Sequence, residues 1–181
     1  MKEEKQHTTH SDKIEMQYKD LTDLYDYLMK QDQVTFASDI KDVYKKVLLL
    51  SAASFFESEI STALLQFAEN ACKGDKRLKH LIESKVIQRQ YHTLFDWTAK
   101  NTNVFWRLFG NEEYARNVRK KLQERQELLD SEKAFLWIGG RRNLLVHKNF
   151  AEYAIDDTSD EIYAKYREAC TFIDFIKEEL C

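Results

Sequence analysis

From Lys13 to about Gln31 the apolar residues Ile14, Tyr18, Leu21, Tyr25 and Leu28 recur at spacings of three and four. That period predicts an amphipathic helix, with one stripe facing a core. Ser38 or Asp39 is placed to cap a second helix. The stretch that follows, IKDVYKKVLLLSAASFFESEISTALLQFAENACKG, runs about 35 residues without a breaker and meets its natural stop at Gly74. Such length admits a bend. The middle is apolar nearly all round, the mark of a central core helix, and is interrupted by Glu57 and Glu59.

The second half is less regular. DKRLKHLIESKVIQRQY reads as a shorter helix, and the aromatic-rich HTLFDWTAKNTNVFWRLFG as helix followed by irregular chain ending at Gly110. Asn111 caps a helix through EEYARNVRKKLQERQELL; after Asp130 or Ser131 comes EKAFLWIGGRRNLLVHKNF. A loop, AEYAIDD, precedes a capping box formed by Thr158 and Glu161, which opens a last helix from Asp160 to Leu180. The expected class is all-α: an up-and-down bundle of five to seven helices with one long central helix. Residues 1–12 read as a flexible tail and 13–181 as a single domain, since no Gly/Ser linker or repeat divides the chain.

Composition sharpens this picture. Proline is absent and there are four glycines, which favours helix over loop and sheet edge. Hydrophobic residues at 43% and aromatics at 13% suffice for a core. The net charge of −3 argues against coating nucleic acid by bulk electrostatics, so polyanion binding requires a local basic patch. Cys72, Cys170 and Cys181 form no CxxC pair and are odd in number, which points to a reducing, cytoplasmic setting. The longest purely apolar run is short and the N-terminus is charged, so neither a membrane span nor a signal core is expected. His7 and His10 in HTTH could grip a metal, but a disordered tail is the favoured reading. With no G-x-G-x-x-G, P-loop, HExxH or CxxC pair, no metal or cofactor is expected.

The segment with the most chemistry is GGRRNLLVHKNF, residues 139–150, which holds two of the four glycines. With Arg142 at zero on a helical wheel of about 100° per residue, Val146, Phe150, Asn143 and His147 share one arc; Leu144 and Leu145 fall elsewhere and are expected to anchor the helix. An arc that mixes polar and apolar groups suits a protein interface that also holds a functional cluster. Gly139 and Gly140 could bend the helix just before it. Histidine trades protons near neutrality, arginine forks two donors onto phosphate oxygens, and an amide can hold a ring or an oxygen in place. Together these suffice for metal-free RNA cleavage: a base for the 2′-hydroxyl, an acid for the 5′-oxygen and a cation at phosphorus. One histidine does not easily serve as both base and acid, whereas two copies across a twofold axis can.

The pattern Arg142-Asn143-x-x-x-His147, late in an all-α domain of this size, resembles the HEPN superfamily, whose catalytic members carry an arginine, four to six residues and a histidine. The resemblance spans residues 13–180 and includes the long helix with SFFESEI. It implies a dimeric, metal-independent endoribonuclease, often a toxin or anti-phage effector with a cognate antitoxin or sensor. Arg142 and His147 would act in a cleft between protomers, supported by Asn143. A polar residue on an earlier helix often joins such a cleft, and Glu57 is the candidate here. The superfamily also includes non-catalytic members, so a helical interaction or regulatory module is the alternative.

Other groups have two readings each. Arg141 and Lys148 guide RNA or are merely solvated. Arg116, Arg119 and Lys120, with Lys121 and Arg125, track phosphates or form a charged helix face among nearby glutamates. Phe95, Trp97, Phe105, Trp106 and Phe109 stack bases or, preferably, pack a core. Glu57 tunes His147 or, preferably, pairs with Arg142 for structure alone.

Overall fold

The computed structural model describes residues 10–87, 91–148 and 150–180, with backbone alone for residues 10–12. Among these there are seven α-helices and no strand. They are α1 (His10–Lys30), α2 (Val34–Cys72), α3 (Lys76–Ile82), α4 (Asn103–Trp106), α5 (Glu112–Gln123), α6 (Gln126–His147) and α7 (Ser159–Leu180). A π-helical turn (Glu83–Ile87) follows α3, and a 3-10 turn (Tyr91–Thr93) opens the irregular stretch before α4. His7 and the side chain of His10 lie outside the described residues.

Local signals act where the sequence places them. Asn111 Oδ1 accepts the backbone N–H groups of Glu113 and Tyr114 at the start of α5. The Thr158 and Glu161 side chains cap reciprocally at the start of α7. Lys73 and Gly74 take positive φ and end α2.

Three boundaries differ from expectation. The helix read over DKRLKHLIESKVIQRQY is α-helical only to Ile82 and gives way to the π-helical turn. Helix α2 starts at Val34, not after Ser38 or Asp39. Gln33 N–H bonds back to the Leu28 carbonyl and Asp32 adopts a φ of 56°, so the chain reverses within three residues and resumes helix at once. The α5–α6 break comes at Glu124 and Arg125 rather than at Asp130. Leu122 and Leu128 are both buried, and the break lets both helices send a leucine into one core.

Helix α2 is the centre of the bundle and packs against α1, α3, α6 and α7. An 18-residue window in it has a mean hydropathy of 1.3, so by length and composition it could cross a membrane. The core helix of a bundle reaches the same mean, and α2 is packed on four helices here. Phe56 of α2 meets Phe135 of α6 and Tyr166 of α7 at 5.8 and 5.6 Å, and Phe135 meets Phe172 at 5.2 Å. Phe95, Phe105 and Trp106 are buried in the same core, with half-buried Phe109 against Phe105.

One polar network holds the second half together. Glu132 of α6, 1% exposed, accepts the backbone N–H and the hydroxyl of Thr102, each at 2.8 Å. Its second oxygen pairs with Arg119 of α5. Trp106 Nε1 donates to the Thr102 hydroxyl at 3.0 Å. A single buried carboxylate thus ties α4 and α5 to α6. Glu132→Ala leaves Arg119 and Thr102 unpaired in a dry site, a loss of about 3–5 kcal/mol. Urea unfolding measures it, with exposed Arg77→Ala as a control expected within about 0.5 kcal/mol.

Candidate active site

Helix α6 lines a cavity of about 310 Å³ with a single stripe at spacings of three and four. Phe135, Ile138 and Gly139 form its buried end, half-buried Arg142 and Asn143 its middle, and exposed Val146 and His147 its mouth. Ala53, Phe56 and Glu57 of α2 form a second wall. Tyr91, His92 and Trp97, from the irregular stretch before α4, form the third. Arg142, Asn143, His147 and Glu57, singled out from the sequence, therefore line one cavity.

The glycine pair does not bend α6, which stays helical from Gln126 to His147. Its role is close approach. A Cβ on Gly139 would lie 2.0 Å from a Trp97 ring carbon, and one on Gly140 would lie 3.2 Å from the Trp97 carbonyl oxygen. The indole therefore rests directly on the α6 backbone. It also contacts Phe135 at 5.6 Å and Tyr91 at 6.4 Å, and its Nε1 donates to the His92 carbonyl at 3.2 Å. These contacts set the third wall in place.

Among the described residues, no side chain of Glu57, Tyr91, His92, Arg142, Asn143 or His147 has a hydrogen bond or ion pair with another protein group. The favoured structural pairing of Glu57 with Arg142 is absent, while Glu59 two residues on binds Lys177. The neighbouring arginines behave differently. Arg141 lies outside the cavity, with Nε 2.9 Å and Nη2 3.1 Å from the two Asp157 oxygens and its guanidinium over the Trp137 ring. Arg119 pairs with Glu132. Arg116, Lys120 and Lys148 are exposed and do not line the cavity; Arg116 Nε donates to the Glu112 carbonyl.

The apolar part of the expected arc is altered. Leu145 is buried, but Leu144 is 43% exposed and does not anchor the helix. Phe150 lies beyond the end of α6, with its carbonyl accepting from Lys46 Nζ at 2.8 Å. Val146 and Phe150 are both exposed, at 47% and 41%.

Tyr91 and His92 were not singled out from the sequence. They stand where no periodicity marks a face, and no motif includes them. Burial pushes the Tyr91 hydroxyl well above the usual phenol range; the nearby charge of Glu57 adds to the shift and that of Arg142 opposes it. Tyr91 is therefore a neutral donor in the cavity, within electrostatic reach of both charged residues.

A sequence model of the RiboL-PSP-HEPN family matches residues 12–181. No curated protein and no solved structure matches the chain.

Gly139→Ala forces the Trp97 ring off α6 and is expected to cost about 1–3 kcal/mol. Gly140→Ala, with looser contact, is expected to be nearly neutral, because helix propensity returns up to about 1 kcal/mol. Thermal unfolding of the two variants checks this. In alkaline titration followed at 295 nm, Tyr91 is expected to ionise above the ordinary phenol value of about 10. Its folded-state pKa is raised, so its contribution to stability is complete below about pH 10 and is lost as pH rises further. Tyr91→Phe flattens that alkaline decline.

Proposed function

The chain belongs to the RiboL-PSP-HEPN family, and we propose that it is an endoribonuclease whose Arg142 and His147 cleave RNA by attack of the 2′-hydroxyl. The observation that carries this reading is the cavity in which a cation, an amide and a histidine stand together, none of them bonded to a partner among the described residues. His147 at the mouth takes the 2′-hydroxyl proton. The 2′-oxygen bonds to phosphorus, and the bond to the 5′-oxygen breaks as that oxygen receives a proton. Arg142 forks onto the non-bridging oxygens, where charge gathers. Asn143 orients the phosphate or the imidazole. The products are a 2′,3′-cyclic phosphate and a 5′-hydroxyl.

Two groups are candidates for the proton donor: the partner's His147 across a twofold interface, and His92 in the same cavity. Exposed Val146 and Phe150 beside the motif support the dimer. Arg116 and Lys120 on α5 and Lys148 at the end of α6 are exposed and are assigned to guiding the RNA strand. The same reading makes the chain a toxin or anti-phage effector in the cytoplasm, held by a cognate antitoxin or sensor.

The test is incubation with total cellular RNA and excess chelator, with the product ends mapped. Cleavage leaving 2′,3′-cyclic or 3′-phosphate ends is expected. His147→Ala should lower the single-turnover rate by about 10²–10⁴ and Arg142→Lys by about 10²–10³, with melting temperatures unchanged. Intact RNA with the wild-type chain would favour the interaction-module alternative instead. His92→Ala chooses the acid: a rate unchanged in a dimer assigns it to the partner's His147.

A second prediction concerns the basic groups. Arg116→Ala and Lys120→Ala should weaken RNA binding in a salt-dependent way with little change at saturation. Arg119→Ala should instead lower the melting temperature, because Arg119 holds Glu132.

A further inference from the structure

The cavity is graded along α6. Its inner end is aromatic and buried, with Phe135 at 1% exposure and Trp97, Phe56 and Tyr91 around it; its outer end carries Arg142 and His147. Helical rise is about 1.5 Å per residue, so Arg142 stands about 4.5 Å and His147 about 12 Å beyond Gly139 along the axis. A volume of about 310 Å³ is at the small end for a ligand site. It fits one nucleotide and excludes a duplex.

We infer that this cavity receives a single nucleotide of single-stranded RNA, its base inserted among Trp97, Tyr91 and Phe56 and its phosphate over Arg142. The inference deepens the ribonuclease reading and rests on it for the identity of the strand. A base can enter an aromatic pocket only when it is unstacked from a helix, so the substrate is an unpaired residue in a loop, bulge or single strand. Burial gives direction: the apolar end desolvates the ring, and the polar mouth keeps the sugar and phosphate near water. Glu57 and the neutral Tyr91 hydroxyl supply an acceptor and a donor for the base edge. The pocket thereby fixes the strand so that the 2′-hydroxyl of the inserted residue lies toward His147.

Calorimetric titration of the unaltered chain compares nucleoside 3′-monophosphates, which have no bond to cleave, with ribose 5-phosphate. The nucleotides are expected to bind at least about fivefold more tightly, the low end of what one base stack contributes. A 2′-O-methyl oligoribonucleotide, which lacks the attacking hydroxyl, should displace them. Ala53→Leu narrows the cavity on its α2 wall and should bring nucleotide binding down to the ribose phosphate level. In the cleavage assay, one sequence should be cut at least tenfold more slowly as a perfect duplex than as a single strand. Equal binding of nucleotide and ribose phosphate, or equal cleavage of both RNA forms, overturns the inference. So does a nucleotide that the oligomer fails to displace, which makes the occupant a free nucleotide. Nucleotide binding and displacement without cleavage of any RNA sinks the ribonuclease reading alone and leaves the base pocket standing.

Discussion

The contact between Trp97 and the bare backbone at Gly139 sets the shape of the functional region. The indole lies where any larger residue would place its Cβ, 2.0 Å from a ring carbon. With no side chain between ring and helix, the irregular stretch before α4 closes onto α6 and brings Tyr91 and His92 beside Arg142. Helix alone would expose the stripe of α6 as a shallow groove. The tryptophan converts it into a walled cavity open at the His147 end, and the partial burial of Arg142 strengthens any charge interaction formed there.

Helix α6 separates two uses of charge. Near its start Glu132 is buried and fully engaged by Thr102 and Arg119. Toward its end Arg141 is engaged by Asp157. Arg142, the very next residue, is turned about 100° around the helix and lines the cavity with no partner among the described residues. Adjacent arginines therefore have opposite roles because the helical rotation sends one toward the loop before α7 and the other toward α2. The helical period that groups Arg142 with Asn143 and His147 leaves Arg141 aside, but nothing in the sequence names Asp157 as its partner.

Legibility in the sequence follows the range of the physical cause. Helix α1, the Asn111 cap, the Thr158–Glu161 box and the stop at Gly74 were readable because each depends on residues within a turn of one another. The start of α2 and the break before α6 were not, since the first depends on a reversal at Asp32 and the second on burying both Leu122 and Leu128. Arg142, Asn143 and His147 could be grouped because one helical period relates them. Glu57 was reachable only through the resemblance. Tyr91 and His92 have neither period nor motif, and the loop that carries them is held by a glycine whose importance lies in what packs on it. The aromatic stretch was read as core, which is true of Phe95, Phe105 and Trp106, but Trp97 is both core and cavity wall.

Polar groups in partly buried positions normally find partners, because leaving them unmade costs free energy. This chain obeys the rule at Glu132, Arg141, Glu59 and Lys46. Buried exceptions are single oxygens such as those of Asn103 and Ser159; where α2, α6 and the Trp97 loop meet, it is two half-buried charged side chains, Glu57 and Arg142, that are not joined to each other. A protein selected for stability alone would let Glu57 and Arg142 neutralise each other across that space. Instead, Tyr91 remains a neutral hydroxyl within reach of both charges, and neither ionic group has a bonding partner among the described residues. Such local inconsistency in an otherwise consistent fold is the physical signature expected of a site arranged for a ligand. A phosphate with an attached base complements it at both ends: anion against Arg142, ring against the aromatic floor.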